Sequence, residues 1–250
     1  MRARAQWSYA QARLQARHGE RPGEADWHAL EAARSVDQYL ERTRATSLRR
    51  FTERLDARME PHAIERILRD ARRAYVAETA GWVPKEWRGA MSWTACLAEL
   101  PEIEAAARDG APGWLGEDPA FADFTEARGE DGAASPLVRR AGSGEPLAAL
   151  WYRHWLTLRP RGARDDKALD DLVATVAAHA GRLRDAGPEE TSAPYRGDLA
   201  RRLSRLFRRH GASPVAAFSH LGLVALDFER LRGGILRRRL FGPVHARVAA

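Results

Sequence analysis

The chain of 250 residues has a single cysteine, two lysines and three methionines. With only Cys96, no internal disulfide can form, and a reducing, cytoplasmic setting is the expectation. Of the 41 basic residues, all but Lys85 and Lys167 are arginine, a skew of the kind a GC-rich genome produces rather than the mark of a binding surface. No run of about 18 apolar residues occurs, and the opening MRARAQWSYAQAR lacks the apolar stretch of a signal peptide. The expectation is a soluble protein with no transmembrane segment, at most peripheral to the cytoplasmic face of a membrane. Nor does any run of β-branched and aromatic residues alternate with polar ones between turn signals, which excludes a sheet-built core. The glycines of AGSGEP lack both the GK[ST] ending and the preceding strand of a phosphate-binding loop.

What the chain does contain is helix after helix. Residues 5–18 are dense in helix formers and end at Gly19. A segment through Trp27, Leu30 and Ala33 follows, and Ser35 with Gln38 three residues on has the capping-box pattern. Pro61 opens a helix with Ile64, Ile67, Leu68, Ala71 and Tyr75 at helical spacing. Leu147, Leu150, Trp151, His154, Trp155 and Leu158 repeat the period, as do Leu169, Leu172, Val173, Val176 and Leu183, and then Leu199, Leu203, Leu206 and Phe207. The fold is therefore expected to be all-α, a multi-helix bundle-like array in one domain over 1–250. A loop-rich connection is expected at about 109–146, a second break at 185–198, and basic C-terminal helices over about 198–242.

Charge is lopsided. From Arg196 to the end there are twelve arginines against Asp198, Asp227 and Glu229, a net of +9, which leaves residues 1–195 at −2. The last helix, capped by Ser213 and begun by Pro214, carries a stripe of Leu221, Val224, Phe228, Leu231 and Ile235, with Asp227, Glu229, Arg230 and Arg232 expected on the opposite, solvated face. Gly233 and Gly234 weaken that helix by about 2 kcal/mol relative to alanine, so a close backbone approach or a kink is expected there. Arg237, Arg238 and Arg239 suit the negative end of the helix dipole and read as a solvated cap with capacity for an acidic partner or anionic headgroups.

Catalytic patterns are sparse. His62 and Glu65 lie one helical turn apart but have no HExxH or second HxxE beside them, so the plain reading is a helix N-terminal histidine and a solvated glutamate. His154, between Trp151 and Trp155 in the sequence, reads as packed or rim-exposed rather than ligating, and Cys96 as buried and inert. Eight tryptophans interleaved with arginine suit core packing better than a stacking platform for nucleic acid, for which no motif is present. No catalytic, metal or cofactor site is assigned, and an enzyme that brings His62, His154 or His179 beside carboxylates is the weakest class.

Three stretches resemble one family. FERLRGGILRRRLFG, with Phe228, Glu229, Leu231, Arg232, Ile235 and Gly242, resembles the C-terminal signature of the central-axis socket family of V-type and A-type ATPases, the subunit that sits between rotor shaft and membrane ring. YAQARLQAR is similar to the family's opening through Tyr9, Ala12, Arg13 and Ala16. Tyr39, Leu40, Thr46, Ile64, Glu65 and Leu68 match its second segment, while residues 82–195 show no match. The chain is shorter than is usual for that family. The resemblance implies an all-helical, non-catalytic socket in an ion-translocating rotary complex. Its implied partners are the shaft subunits and the membrane ring, met through Arg230, Arg232 and Arg237–Arg239. Reversal of Arg237–Arg239 to glutamate is then expected to weaken assembly without unfolding. The alternative from another class is a basic helical nucleic-acid-binding or scaffolding protein.

Overall fold

The computed structural model describes residues 2–100, 103–104, 145–160, 166–185 and 193–241. Among them are ten α-helices, one 3-10 segment and no strand: α1 Arg2–Gly19, α2 Glu24–Glu31, α3 Val36–Arg44, α4 Arg49–Thr52, α5 Pro61–Trp82, α6 Lys85–Ser92, α7 Leu147–Leu158, α8 Asp166–Asp185, α9 Ala193–Arg209 and α10 Pro214–Phe241. The all-α expectation holds. The expected connection at 109–146 lies outside the described residues up to 144, and the expected break at 185–198 is helical from Ala193 onward. These residues form two compact units, one within Met1–Pro84 and Gly162–Ala250, the other within Lys85–Arg161.

In the larger unit α10 is the central element, touching α1, α3, α5, α8 and α9. The predicted stripe is buried throughout, with Leu231 and Ile235 at 0 % exposure. So is every residue from Pro214 to Leu221, including Ser219 and His220. A helix surrounded on most sides needs no polar face over that span. Helix α9 lays Leu199, Leu203 and Phe207 against it. The approach is tight because Gly222 faces Leu203, whose Cδ1 would lie 2.9 Å from any Cβ there. The turn between them places Ala212 at φ 56°, a left-handed conformation fixed by its amide donating to Gln11 Oε1 at 2.9 Å.

Local signals set several boundaries. Ser35 accepts from the Gln38 amide at 3.2 Å, while the Gln38 side chain caps the Arg34 amide instead of that of Ser35, so the box closes one residue early. Pro61 occupies the first turn of α5, where its missing N–H leaves nothing unpaired. In α8 the apolar stripe departs from expectation. Val176 is exposed, and His179 takes a buried place.

The smaller unit packs Trp87, Ala90, Met91, Leu147, Leu150 and Trp155 into its interior. Trp93 and Trp151 each donate an indole N–H to the other's backbone carbonyl at 3.1 Å. Two large rings thus lie at the edge of an apolar core with both polar atoms satisfied. His154 packs edge-on against Trp93, 4.5 Å between centroids. Cys96 is half-buried rather than fully buried, its thiol 2.9 Å from the Trp93 carbonyl oxygen.

Candidate functional site

The five arginines singled out on α10 do not form one solvated cluster. Arg230 reaches back to α2, donating to Glu31 at 2.8 Å and Glu24 at 3.3 Å, with its guanidinium 4.6 Å from the Trp27 ring centroid. Arg232 places Nε 2.8 and 2.7 Å from the two carboxylate oxygens of Glu65 on α5. Arg239 donates to the Met59 carbonyl at 3.0 Å and lies 3.7 Å from Glu60. Arg237 alone of the five is exposed, with no bonded partner among the described residues.

Arg238 corrects the solvated-cap expectation most clearly. It is 8 % exposed and lies over Tyr39, its guanidinium carbon 4.3 Å from the ring centroid. Its guanidinium donates to the carbonyls of Ala33 at 2.9 Å and Glu31 at 2.8 Å, and to Gly234 of its own helix at 2.8 Å. A helix leaves its last carbonyls without partners. Here an arginine about 200 residues away in sequence supplies donors to the end of α2, and the planar fork is what lets one side chain reach several acceptors.

The glycine pair has a split explanation. A Cβ on Gly234 would lie 2.3 Å from Tyr39 Oη and 2.5 Å from Cζ, so the close approach is that of an aromatic ring. A Cβ on Gly233 would meet nothing within 4 Å, and nothing in the structure explains that glycine. Asp227, expected on the solvated face, is also buried. Arg21 clasps it at 2.6 and 3.0 Å. Burial pushes its carboxyl up against the opposing pull of that guanidinium.

The helices that carry the second and third family-like stretches pack on one another in the larger unit, while Ala12, Arg13 and Ala16 of the first are exposed. Tyr39, Ile64, Phe228, Leu231 and Ile235 are buried together, and Phe228 contacts Phe51 edge-on at 5.6 Å. Glu65 pairs with Arg232, and Glu229 lies 3.8 Å from Arg232. Arg13 packs its guanidinium over Trp82, 5.2 Å from the centroid. Tyr9, by contrast, is 55 % exposed.

The remaining candidates do not converge. His62 is exposed on α5, and Glu65 turns to Arg232. No group of three His, Cys, Asp or Glu suited to a metal occurs among the described residues. A shallow cleft of about 20 Å³, room for little more than one water, is lined by Arg17, Glu20, Arg21, Arg50, Tyr75 and Asp227. Behind it sits a buried pair that composition did not signal. Tyr75 Oη and His220 Nε2 are hydrogen-bonded at 2.7 Å, and His18 lies 6.5 Å from His220 between ring centroids. Burial drives His220 down to about 3 and Tyr75 up to about 12. Both rings are neutral in the fold near pH 7.

Compared with models of known protein families, with curated proteins and with solved structures, the chain has no match.

Proposed function

We propose that the protein is a non-catalytic adaptor of a rotary V-type or A-type ATPase, a helical socket that couples the rotor shaft to the membrane ring. The observation that carries this reading is the Glu65–Arg232 pair. Both are positions of the resemblance, they stand 167 residues apart, and they meet with Nε–O distances of 2.7 and 2.8 Å. Two separate sequence resemblances whose buried members come from helices packed on one another, α3 and α5 with α10, support common descent better than two that scatter.

The proposed role suits the way α10 is fastened. An element that transmits torque must not slide against its neighbours. Arginines 230, 232, 238 and 239 tie α10 to α2, to α5 and to the segment before α5, while Gly234 seats Tyr39 of α3. Such charge-assisted bonds fix register as well as adding energy. On this reading Arg237, with exposed Leu240 and Phe241 at the same end of α10, is what remains to meet an acidic surface at the ring.

Affinity purification of the tagged protein from detergent-solubilised membranes at moderate salt tests the proposal. Shaft and ring proteins of a rotary ATPase are expected in the eluate, and Arg237→Glu should reduce them. Reversing Arg237–Arg239 together is not a clean test, because a carboxylate at 238 would face the carbonyls that end α2. Absence of rotary-complex proteins from the eluate of the folded protein refutes the reading. The nucleic-acid alternative gains nothing from α10, where four of the five arginines are engaged inside the chain.

A further inference from the structure

A different helix carries the unneutralised charge. Helix α9 has Arg196, Arg201, Arg202, Arg205, Arg208 and Arg209 against Asp198 alone, and all six arginines are exposed. Its apolar residues Leu199, Leu203 and Phe207 are buried against α10, so the arginines form the outward face. Among the described residues no carboxylate pairs with Arg205, Arg208 or Arg209. Positions 201, 205 and 208 share one stripe, with 202 and 209 beside it, a row about 12 Å long at 1.5 Å per residue. Like charges at these spacings weaken a helix by about 0.2–0.5 kcal/mol each, so packing alone gives no reason for the row.

We propose that this face of α9 binds an acidic helical segment of a partner protein, one that presents carboxylates on successive turns. The inference does not rest on the rotary-ATPase reading. Three observations select the partner's chemistry. First, the N-terminal end of the same face already holds a carboxylate. Asp198 is gripped by Arg182 at 3.2 Å and Arg202 at 3.0 Å, with Arg201 at 3.6 Å. Second, guanidiniums spaced three and four residues apart match carboxylates at i, i+4 and i+7 of another helix, since both rows follow the same pitch. Third, the other polyanions fit less well. A membrane surface would call for apolar side chains beside the arginines, and none of the large exposed hydrophobic residues belongs to α9. Nucleic acid is the competing polyanion, for which the sequence holds no binding motif.

The test uses the full chain and three probes at about 0.1 M salt, where surface charges are screened beyond roughly 10 Å. The first is a labelled alanine-based peptide with glutamates at i, i+4 and i+7. The second is the same composition broken by two central prolines, and the third is a duplex DNA of equal charge. Fluorescence anisotropy should show the helical peptide binding at least tenfold more tightly than either other probe. Arg205→Gln/Arg208→Gln/Arg209→Gln should weaken it at least tenfold, with unchanged far-ultraviolet circular dichroism. Should that variant unfold, the single variant Arg208→Gln is expected to weaken binding about threefold. Equal binding of the broken peptide, tighter binding of DNA, or indifference to the substitutions would each overturn the proposal.

Discussion

Replacing Gly234 by alanine sets two effects of opposite sign against each other at one atom. In the middle of a 28-residue helix, alanine gains about 1 kcal/mol over glycine in propensity. The new Cβ would stand 2.3 Å from Tyr39 Oη, 2.5 Å from Cζ and 3.1 Å from Cε2, the first two at least 1 Å inside the optimum of about 3.5–4.0 Å. Tyr39 has 0 % exposure and is overlaid by the Arg238 guanidinium, so neither the ring nor the helix has free space to move into. Overpacking at such a site costs about 1–3 kcal/mol or more. The expected net effect is a loss of about 2 kcal/mol. Gly233→Ala is the internal control, because its Cβ meets nothing and only the propensity gain of about 1 kcal/mol remains. Urea titrations followed by circular dichroism should therefore place the two variants on opposite sides of the parent, about 3 kcal/mol apart. Adding Tyr39→Phe to Gly234→Ala removes the nearest atom and should recover part of the loss, a coupling that a double-mutant cycle isolates. Equal midpoints for the two alanine variants would refute the claim that Tyr39 explains the second glycine.

Three further outcomes follow from the same packing. Arg238→Lys should cost about 2–3 kcal/mol in urea titration, since an ammonium cannot serve Ala33, Glu31 and Gly234 together, whereas Arg237→Lys should stay within about 0.5 kcal/mol. Arg21→Met strands the buried Asp227 carboxylate and should destabilise by about 3 kcal/mol, while Arg21→Met/Asp227→Leu should recover most of that; a double variant as weak as the single one would contradict the pairing. Stability should also fall with acidification. The unfolded His220 takes a proton near 6.5 and the folded one only near about 3, so its contribution is complete above 6.5 and lost on descending toward 3, about 2 kcal/mol by pH 5. His18, also held low by burial, acts in the same sense. Thermal melts across pH 7.5 to 4.5 read the slope, which His220→Leu should flatten.

Helical periodicity made most elements legible. Pro61 and Ser213–Pro214 announced where α5 and α10 begin, and the stripe from Leu221 to Ile235 is the buried one. Facing was harder to read. A helical wheel says that Asp227 and Arg238 lie off the apolar stripe, but it does not say whether another helix covers that side. Helices α1 and α3 touch α10, and Arg21 and the end of α2 reach those two residues, so both charges are inside. For the same reason two arginines of the expected solvated cap, Arg238 and Arg239, are partners of backbone carbonyls far upstream, at Glu31, Ala33 and Met59. The Tyr75–His220 bond joins positions 145 residues apart that share no motif, and only the packing of α5 on α10 brings them together.

The Arg238 contact with the end of α2 also orders events in time. On the ribosome, the carbonyls of Glu31 and Ala33 emerge about two hundred residues before the side chain that will bond them, as does Tyr39 before the glycine notch that will receive its ring. Until α10 is made, Trp27 lacks its covering arginine, Glu65 its counterion and α2 its final donors. The N-terminal helices therefore wait as an incomplete half-unit during synthesis, with apolar and carbonyl surface open to water or to a chaperone. Completion comes when the last described helix slots in.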